Sequence, residues 1–359
     1  MGEAIQTMVS TMQELMKSGA FSVTACDRNY DFDDKSRFLR LKIDEEQQGA
    51  VNMLINQFPE ILESHTLQNA YVMTNPKGLQ GTVMQLKQGG YSSKVVDGNN
   101  HIVGDISYVS LDDQAALLGA FSALSVATGQ YFLAEINDKL RSINLKLDDI
   151  LKFLYGDKKA ELLSEMSFVR SAYENYKSVM NHEQQRVAVL TNLVQARIIA
   201  MQDIEFYIVD LDSKVNQMIR VQDDIKNMHE KAMRIKECLD FSEQLYIMSS
   251  IMEIYYSQNF NNEYLENVEA DMLRYIDKYE NRIIAAFSTL KSNVSKGFTI
   301  TLPGFDRHKY ISEEEKILSS YRSGEESVTR KSARKAIHAM QSPETYYLTS
   351  EGKVYLKIA

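Results

Sequence analysis

Between Gly156 and Gly297 the chain reads Asp157-Lys158-Lys159-Ala160-Glu161-Leu162 at one end and Lys291-Ser292-Asn293-Val294-Ser295-Lys296 at the other. All 140 residues from 157 to 296 are free of both glycine and proline. Inside a helix glycine costs about 1 kcal/mol and proline about 3 kcal/mol relative to alanine. A tract this long without either predicts extended helix. The apolar residues agree. Leu162, Met166, Val169, Tyr173, Tyr176, Met180, Val187, Leu190, Val194, Met201, Ile204, Ile208, Leu211, Val215, Met218 and Ile225 recur in steps of three and four or their sum. That spacing keeps side chains on one face of a helix. Glu183 and Arg197 interrupt the seam, and Asn181-His182 marks a break, because Asn favours caps and turns over helix interiors. A further helix is predicted over 237–256, with Leu245, Met248, Met252 and Tyr255 on one face. After the turn cluster at 257–262 another follows, carrying Leu265, Val268, Met272, Tyr275, Tyr279, Ile283, Ala286 and Leu290 and ending before Gly297.

Upstream of the tract a second seam has the same period. Leu133, Ile136, Leu140, Ile143, Leu147, Ile150 and Leu154 alternate steps of three and four, and the register extends back to a cap near Asp112. Gly156-Asp157 reads as the turn between the two arms. A short turn makes them antiparallel neighbours, each burying the other's stripe. At the N-terminus Ile5, Met8, Met12, Leu15 and Met16 form a shorter amphipathic helix that stops at Gly19.

The β signals lie elsewhere. Short alternating runs at Ala70–Met73, Gly81–Leu86, Tyr91–Val96 and His101–Val109 are separated by glycine-containing turns and read as a meander of about four strands. Phe298–Leu302 is a lone strand candidate. Tyr346–Thr349 and Lys353–Ile358 flank Ser350-Glu351-Gly352 as a hairpin, and Arg37–Ile43 alternates as well. A small meander alone exposes its edges, so the late strands are expected to complete the early sheet. The fold class is therefore mainly α: an elongated antiparallel helical bundle, coiled-coil-like in its hairpins, with a small antiparallel β-subdomain. The expected organisation is N-terminal helices with a strand at 1–66, the β-meander at 67–111 and the long-helix bundle at 112–296. The C-terminal strand, basic helix and hairpin at 297–359 complete the β-subdomain.

Composition narrows the function. With 40 Lys and Arg against 49 Asp and Glu, the net charge is -9. An acidic chain is a poor phosphate binder, so no nucleic-acid partner is expected. Two cysteines, Cys26 and Cys238, exclude a disulfide framework and a cysteine zinc module and fit a reducing compartment. No basic n-region precedes an apolar stretch at the start, so a cytoplasmic location is expected. No P-loop or dinucleotide fingerprint occurs, and neither His182-Glu183 nor His229-Glu230 has a second histidine one turn on. Ser332-Ala333-Arg334-Lys335 matches an acyl-serine pattern, but its Lys-Thr-Gly partner is missing and the serine lies in a basic helix. The paired carboxylates Asp33-Asp34, Asp112-Asp113, Asp148-Asp149 and Asp223-Asp224 read as helix caps or solvated faces. The tyrosine stripes at Tyr173, Tyr176, Tyr255, Tyr275 and Tyr279 read as core or interface. No enzyme activity, cofactor or metal is expected.

Two features remain as candidate sites. Residues 114–134 form a charge-free segment of 21 residues, about the length that crosses a bilayer core. Its apolar members include Leu117, Leu118, Phe121, Leu124, Val126 and Phe132, and its many small residues also suit a helix buried in a bundle. Arg330, Lys331, Arg334 and Lys335 form a basic cluster, read either as a solvated helix face or as a contact for an anionic surface. In general layout, long antiparallel helices beside a small β region and a charge-free segment resemble the α-helical pore-forming toxins of bacteria, an architectural analogy that no motif carries. The leading expectation is a non-enzymatic binding or scaffold protein acting through protein partners or self-association. The alternative is a membrane-active effector that inserts 114–134, with conditional membrane association.

Overall fold

The computed structural model describes residues 22–26, 30–43, 45–62, 70–74, 94–96, 102–105, 127–141, 156–180, 182–257, 261–296, 306–322, 328–341 and 345–357, together with Met12, Gln13, Met16, Leu124 and Asn259. The chain is mostly helical, with a small antiparallel five-stranded sheet. Its residues group into two compact units. The first comprises Met1–Leu133, Asn259–Asn267 and Arg334–Ala359, and the second Ala134–Gln258 and Val268–Ala333.

In the first unit the strands are β1 (Ser22–Ala25), β2 (Phe38–Arg40), β3 (Ala70–Thr74), β4 (Lys94–Val96), β5 (Ile102–Asp105), β6 (Thr345–Thr349) and β7 (Val354–Lys357). Five of them form one sheet in the order β1-β3-β6-β7-β2. Tyr71 pairs with Leu348, Val72 with Tyr347, and Tyr347 with Tyr355. Period-two alternation then sorts the side chains. One face gathers Phe38, Tyr347 and Tyr355, with Tyr30, Phe32 and Val72 packed against them. Phe32 stacks on Tyr355 at 4.6 Å, and Tyr30 meets Tyr347 edge-on at 5.0 Å. The opposite face carries Tyr71, whose ring lies 4.9 Å from Phe58 of helix α1 (Glu45–Ile61). The C-terminal hairpin pairs with β3 through β6 and with β2 through β7. The earlier runs divide differently. β3 has β1 on one side and β6 on the other, so both its edges are taken, while among the described residues β4 and β5 pair only with each other. The runs at 81–86 and 298–302 and the cap at Asp44 lie outside the described residues.

The β6–β7 turn depends on Gly352. Its φ is +77°, a left-handed conformation that other L residues rarely adopt, and a Cβ there would run into the side-chain ends of Asn52 and Gln48. Gln48 Nε2 also donates to the Gly352 carbonyl at 2.6 Å, tying α1 to the hairpin. Gly352→Ala is expected to cost about 1–2 kcal/mol from the backbone alone, read by urea denaturation. A loss below about 0.5 kcal/mol would count against this account.

Further helices are α2 (127–141), α3 (Gly156–Glu174), α4 (Tyr176–Met180), α5 (Glu183–Val215), α6 (Gln222–Ser257), α7 (Asn262–Lys296), α8 (Arg307–Arg322) and α9 (Val328–Gln341). In the second unit α5 and α6 make the most extensive helix pair. The loop at 216–221 and the Arg197–Glu253 ion pair at 2.5 Å place them antiparallel. Leu193, Ala196, Ala200, Ile204, Tyr207, Ile208, Leu211 and Val215 of α5 are buried. The two alanines allow a close approach, because packed helices come nearer where side chains are small. The tyrosines cross-brace neighbouring helices. Tyr176 Oη donates to the Tyr255 carbonyl at 3.3 Å, Tyr256 Oη to that of Ala172 at 2.8 Å, and Tyr275 Oη to that of Met201 at 3.1 Å.

The expected break at Asn181-His182 is present: α4 ends at Met180, and α5 begins at Glu183 after an extended His182. Two boundaries differ from expectation. A helix begins at Gly156 itself, and α6 begins at Gln222 rather than near 237. The seam drawn through Met218 to Ile225 is cut by the 216–221 loop, because Asp224 Oδ2 accepts from the Arg220 and Val221 amides at 2.7 and 2.8 Å and caps the new helix.

Candidate functional site

The charge-free segment is described at Leu124 and from 127 onward. Leu124 and Phe132 are buried, as are Ala127, Thr128 and Leu133, while Tyr131 is 44% exposed. Thr128 Oγ1 donates to the Leu124 carbonyl at 2.8 Å, satisfying a hydroxyl that the helix would otherwise bury alone. Leu117, Leu118, Phe121 and Val126 lie outside the described residues.

The basic cluster is not one open patch. Arg330 is only 14% exposed at its side chain and faces Asp277 at 2.6 Å and Glu280 at 3.0 Å, so two carboxylates take up its charge. Lys335 stands over the Phe132 ring at 5.3 Å, Lys331 is exposed and Arg334 half-buried. Ser332 is buried, and its hydroxyl hydrogen-bonds the Glu135 carboxylate. An adjacent carboxylate without a histidine or lysine contact on the hydroxyl is a poor arrangement for an acyl-serine nucleophile.

A different surface emerges on α5. While its inner face packs on α6, its outer face leaves Val187 54%, Ile198 39%, Phe206 47% and Val209 60% exposed. Met218 and Val221 of the following loop are more than half exposed too. Gln184, Ala188, Thr191, Asn192, Gln195 and Gln202 nearby are exposed and uncharged, while Glu205, between Ile198 and Val209, is 40% exposed at its side chain and pairs with Lys278 and Arg282 of α7. Val187, Ile198 and Val209 are each eleven residues apart. That period is 3.67 residues per turn, close to the helix's own, so the three side chains line up nearly parallel to the axis. The sequence placed Val187 in the buried seam. A seven-residue period drifts about 20° per heptad against a straight helix, so the seam that is buried at Ile204, Ile208, Leu211 and Val215 has turned outward at Val187. Counting from Val187 in steps of eleven picks out the stripe, at Ile198 and Val209.

The second unit also buries an unusual amount of ionisable chemistry. Asp203 of α5 is fully buried. Its Oδ1 accepts from Lys158 Nζ of α3 at 2.8 Å, and Lys158 also reaches Glu161 at 2.6 Å. Asp203 Oδ2, both carboxylate oxygens of the buried Glu165 and the Tyr207 hydroxyl have no hydrogen-bond partner among the described residues. Burial drives the Glu165 carboxyl up to about 8, helped by the charges of Asp203 and Glu161 and opposed by Lys158. Burial likewise raises Asp203, outweighing the Lys158 contact. For Lys158 burial acts downward, but its bonds to Asp203 and Glu161 outweigh it and the ammonium is held above its usual range. Tyr207 is raised by burial, and the Cys238 thiol is pushed by burial up to about 12. A thiol so raised is not a nucleophile at neutral pH. Glu165 has the protonation of a general acid, but a substrate would have to reach it through packed α3 and α5. Among the described residues no group of three or more His, Cys, Asp or Glu is placed to hold a metal ion.

On α6, His229 is 3% exposed and lies between two carboxylates of α8. Nε2 is 2.8 Å from Glu313 Oε2, and Nδ1 is 3.2 Å from Glu314 Oε1. No protein-family model, no curated protein and no solved structure matches this chain.

Proposed function

We propose that the chain is a non-enzymatic helical binding protein that self-associates through the outer face of α5. One observation carries this reading: the exposed stripe of Val187, Ile198 and Val209. Exposed apolar stripes rimmed by polar residues mark association surfaces. The spacing of this one favours a second copy as the partner. A two-fold axis through Ile198 sets Val187 of one helix opposite Val209 of an antiparallel copy, and a self-complementary patch is what a closed dimer requires. Val187 and Val209 are roughly 33 Å apart along the axis, a long contact for one helix. The long-helix unit is taken as an antiparallel, coiled-coil-like bundle whose wall offers this face.

Light scattering across a concentration series tests it. A dimer is expected. Ile198→Glu should give a monomer with unchanged circular dichroism, because the axis would then oppose two carboxylates while the half-exposed site leaves the fold intact. A monomer at every concentration rejects the reading.

A membrane-active role has its own support. Among the described residues α5 is the one helix long and apolar enough to cross a membrane, and 28% of its apolar stretch is buried. Its 33 residues exceed the roughly 20 that a bilayer core needs. Insertion would have to separate Arg197 from Glu253 and Lys158 from Asp203, at a desolvation cost of several kcal/mol per ion. That cost ranks this reading second. Vesicle flotation and dye release, with neutral and anionic vesicles, discriminate: neither binding nor leakage leaves self-association alone.

A further inference from the structure

The ring of His229 makes two polar contacts at once, and both partners are carboxylates. A carboxylate only accepts hydrogen bonds, while a neutral imidazole has a single N–H to give. Two good contacts therefore need one proton more than the neutral ring with two ionised partners holds. With that proton on the ring, Nε2 donates to Glu313 and Nδ1 to Glu314. With it on Glu314, the carboxyl donates to Nδ1 and Nε2 still donates to Glu313. The proton count is the same in both arrangements. Once it leaves, one ring lone pair faces a carboxylate, and an attraction becomes a repulsion inside a buried site.

The surroundings make that proton consequential. Glu314 is fully buried, and its Oε2 has no hydrogen-bond partner among the described residues, where the His229 contact is its principal compensation. Tyr310 of α8 packs edge-on against the imidazole at 4.9 Å. From α7, Lys291 reaches Glu315 at 2.6 Å, and its charge also acts on Glu314. On α6 itself Lys226 and Glu230 form an exposed pair at 3.9 Å. Farther along α8, Leu318 is buried, and Tyr321 lies 5.4 Å from Lys236 Nζ. The His229 bridge is thus the charged fastening of the N-terminal half of α8 to α6.

We propose that α8 is a proton-controlled latch on α6, docked while His229, Glu313 and Glu314 share their proton and loosened when that proton passes to water on the alkaline side. The direction agrees with the local electrostatics. Burial lowers the His229 ring's proton affinity, but the bonds and charges of Glu314 and Glu313 together outweigh it and hold the ring above its ordinary value. A group whose folded value is raised contributes fully below its unfolded value and loses that contribution as pH rises through the folded one. The latch therefore opens on the alkaline side of the ring's ordinary value.

Hydrogen exchange on the full chain tests the proposal. Protection of residues 307–322, corrected for intrinsic exchange rates, is followed from about pH 6 to about pH 9.5. The expected result is a roughly tenfold fall in a single step, the effect of losing one charge-assisted bond, while the α5–α6 pair keeps its protection. In His229→Gln the amide can donate to Glu313 and accept from Glu314 only while Glu314 keeps the proton, and an amide oxygen is far less basic than an imidazole nitrogen, so the step should move to lower pH. Nuclear magnetic resonance of histidine-labelled, unsubstituted protein needs no variant, and the His229 ring should titrate at the same midpoint as the exchange step. Protection that ignores pH, an unchanged step in His229→Gln, or a ring that titrates at or below the ordinary histidine value would each overturn the latch.

Discussion

Lys158→Met is expected to destabilise the protein by about 3–5 kcal/mol, because it leaves Asp203 buried without a counter-charge. The lysine is an easy substitution to underrate, since its side chain is 31% exposed and it lies at the start of α3. Asp203, however, has no exposure, and among the described residues its second oxygen has no partner and the Lys158 contact at 2.8 Å is the one compensation for its charge. Without it the carboxylate must either take a proton or draw water into the α3–α5 contact. The loss should therefore shrink as pH falls and Asp203 protonates. Adding Asp203→Leu to Lys158→Met should recover most of the stability, because an apolar pair of similar volume often matches a buried ion pair. Urea denaturation of both variants checks this. A single-variant loss below about 1 kcal/mol would mean that the pair behaves as an ordinary surface ion pair.

How much of this could be read beforehand follows from where the physics is local. The long helices were legible because glycine and proline are absent over 157–296 and the apolar period is strong. Their ends were less so. The loop at 216–221 contains neither breaker. It turns because Asp224 accepts two amides and Asn216 Nδ2 donates to the Asp212 carbonyl at 2.8 Å, both side-chain effects that periodicity cannot register. The hairpin at 345–357 and the strand at 38–40 were legible from alternation. β1 was not: Ser22-Val23-Thr24-Ala25 has one buried side chain, too little pattern to distinguish from a loop.

The sites were harder still. Glu165 and Asp203 are separated by 38 positions, and nothing in either neighbourhood announces burial. His229 was weighed as half of a zinc motif and set aside, yet its chemistry depends on Glu313 and Glu314, more than eighty residues on. Arg197, noted as an interruption of the seam, turned out to be a fastening to Glu253. In each case the sequence shows a charge out of pattern, and only the packing of helices supplies the partner that accounts for it.

That packing also sets the response of the second unit to pH, with Glu165 at its centre. The carboxyl's ordinary value is 4.5, and in the folded protein burial raises it to about 8. Between those values the folded state holds a proton that the unfolded chain releases. Stability from this group is then fully present below about pH 4.5 and is lost as pH rises towards about 8, the reverse of an ordinary ion-paired carboxylate. At about 1.36 kcal/mol for each pH unit, the loss by pH 7 is about 3 kcal/mol. Glu165→Gln keeps the shape but cannot ionise, so it should gain about 3 kcal/mol on the natural protein between about pH 4.5 and pH 7. The comparison must be a difference between the two proteins, because His229 begins to act in the same direction above its own ordinary value. His229→Gln should leave the Glu165→Gln difference untouched below the histidine's ordinary value, where its proton is bound in both states. Parallel stability curves for the natural protein and Glu165→Gln from acid to neutral pH would show that Glu165 is ionised in the fold, and that water or an ion reaches the α3–α5 contact to accommodate it.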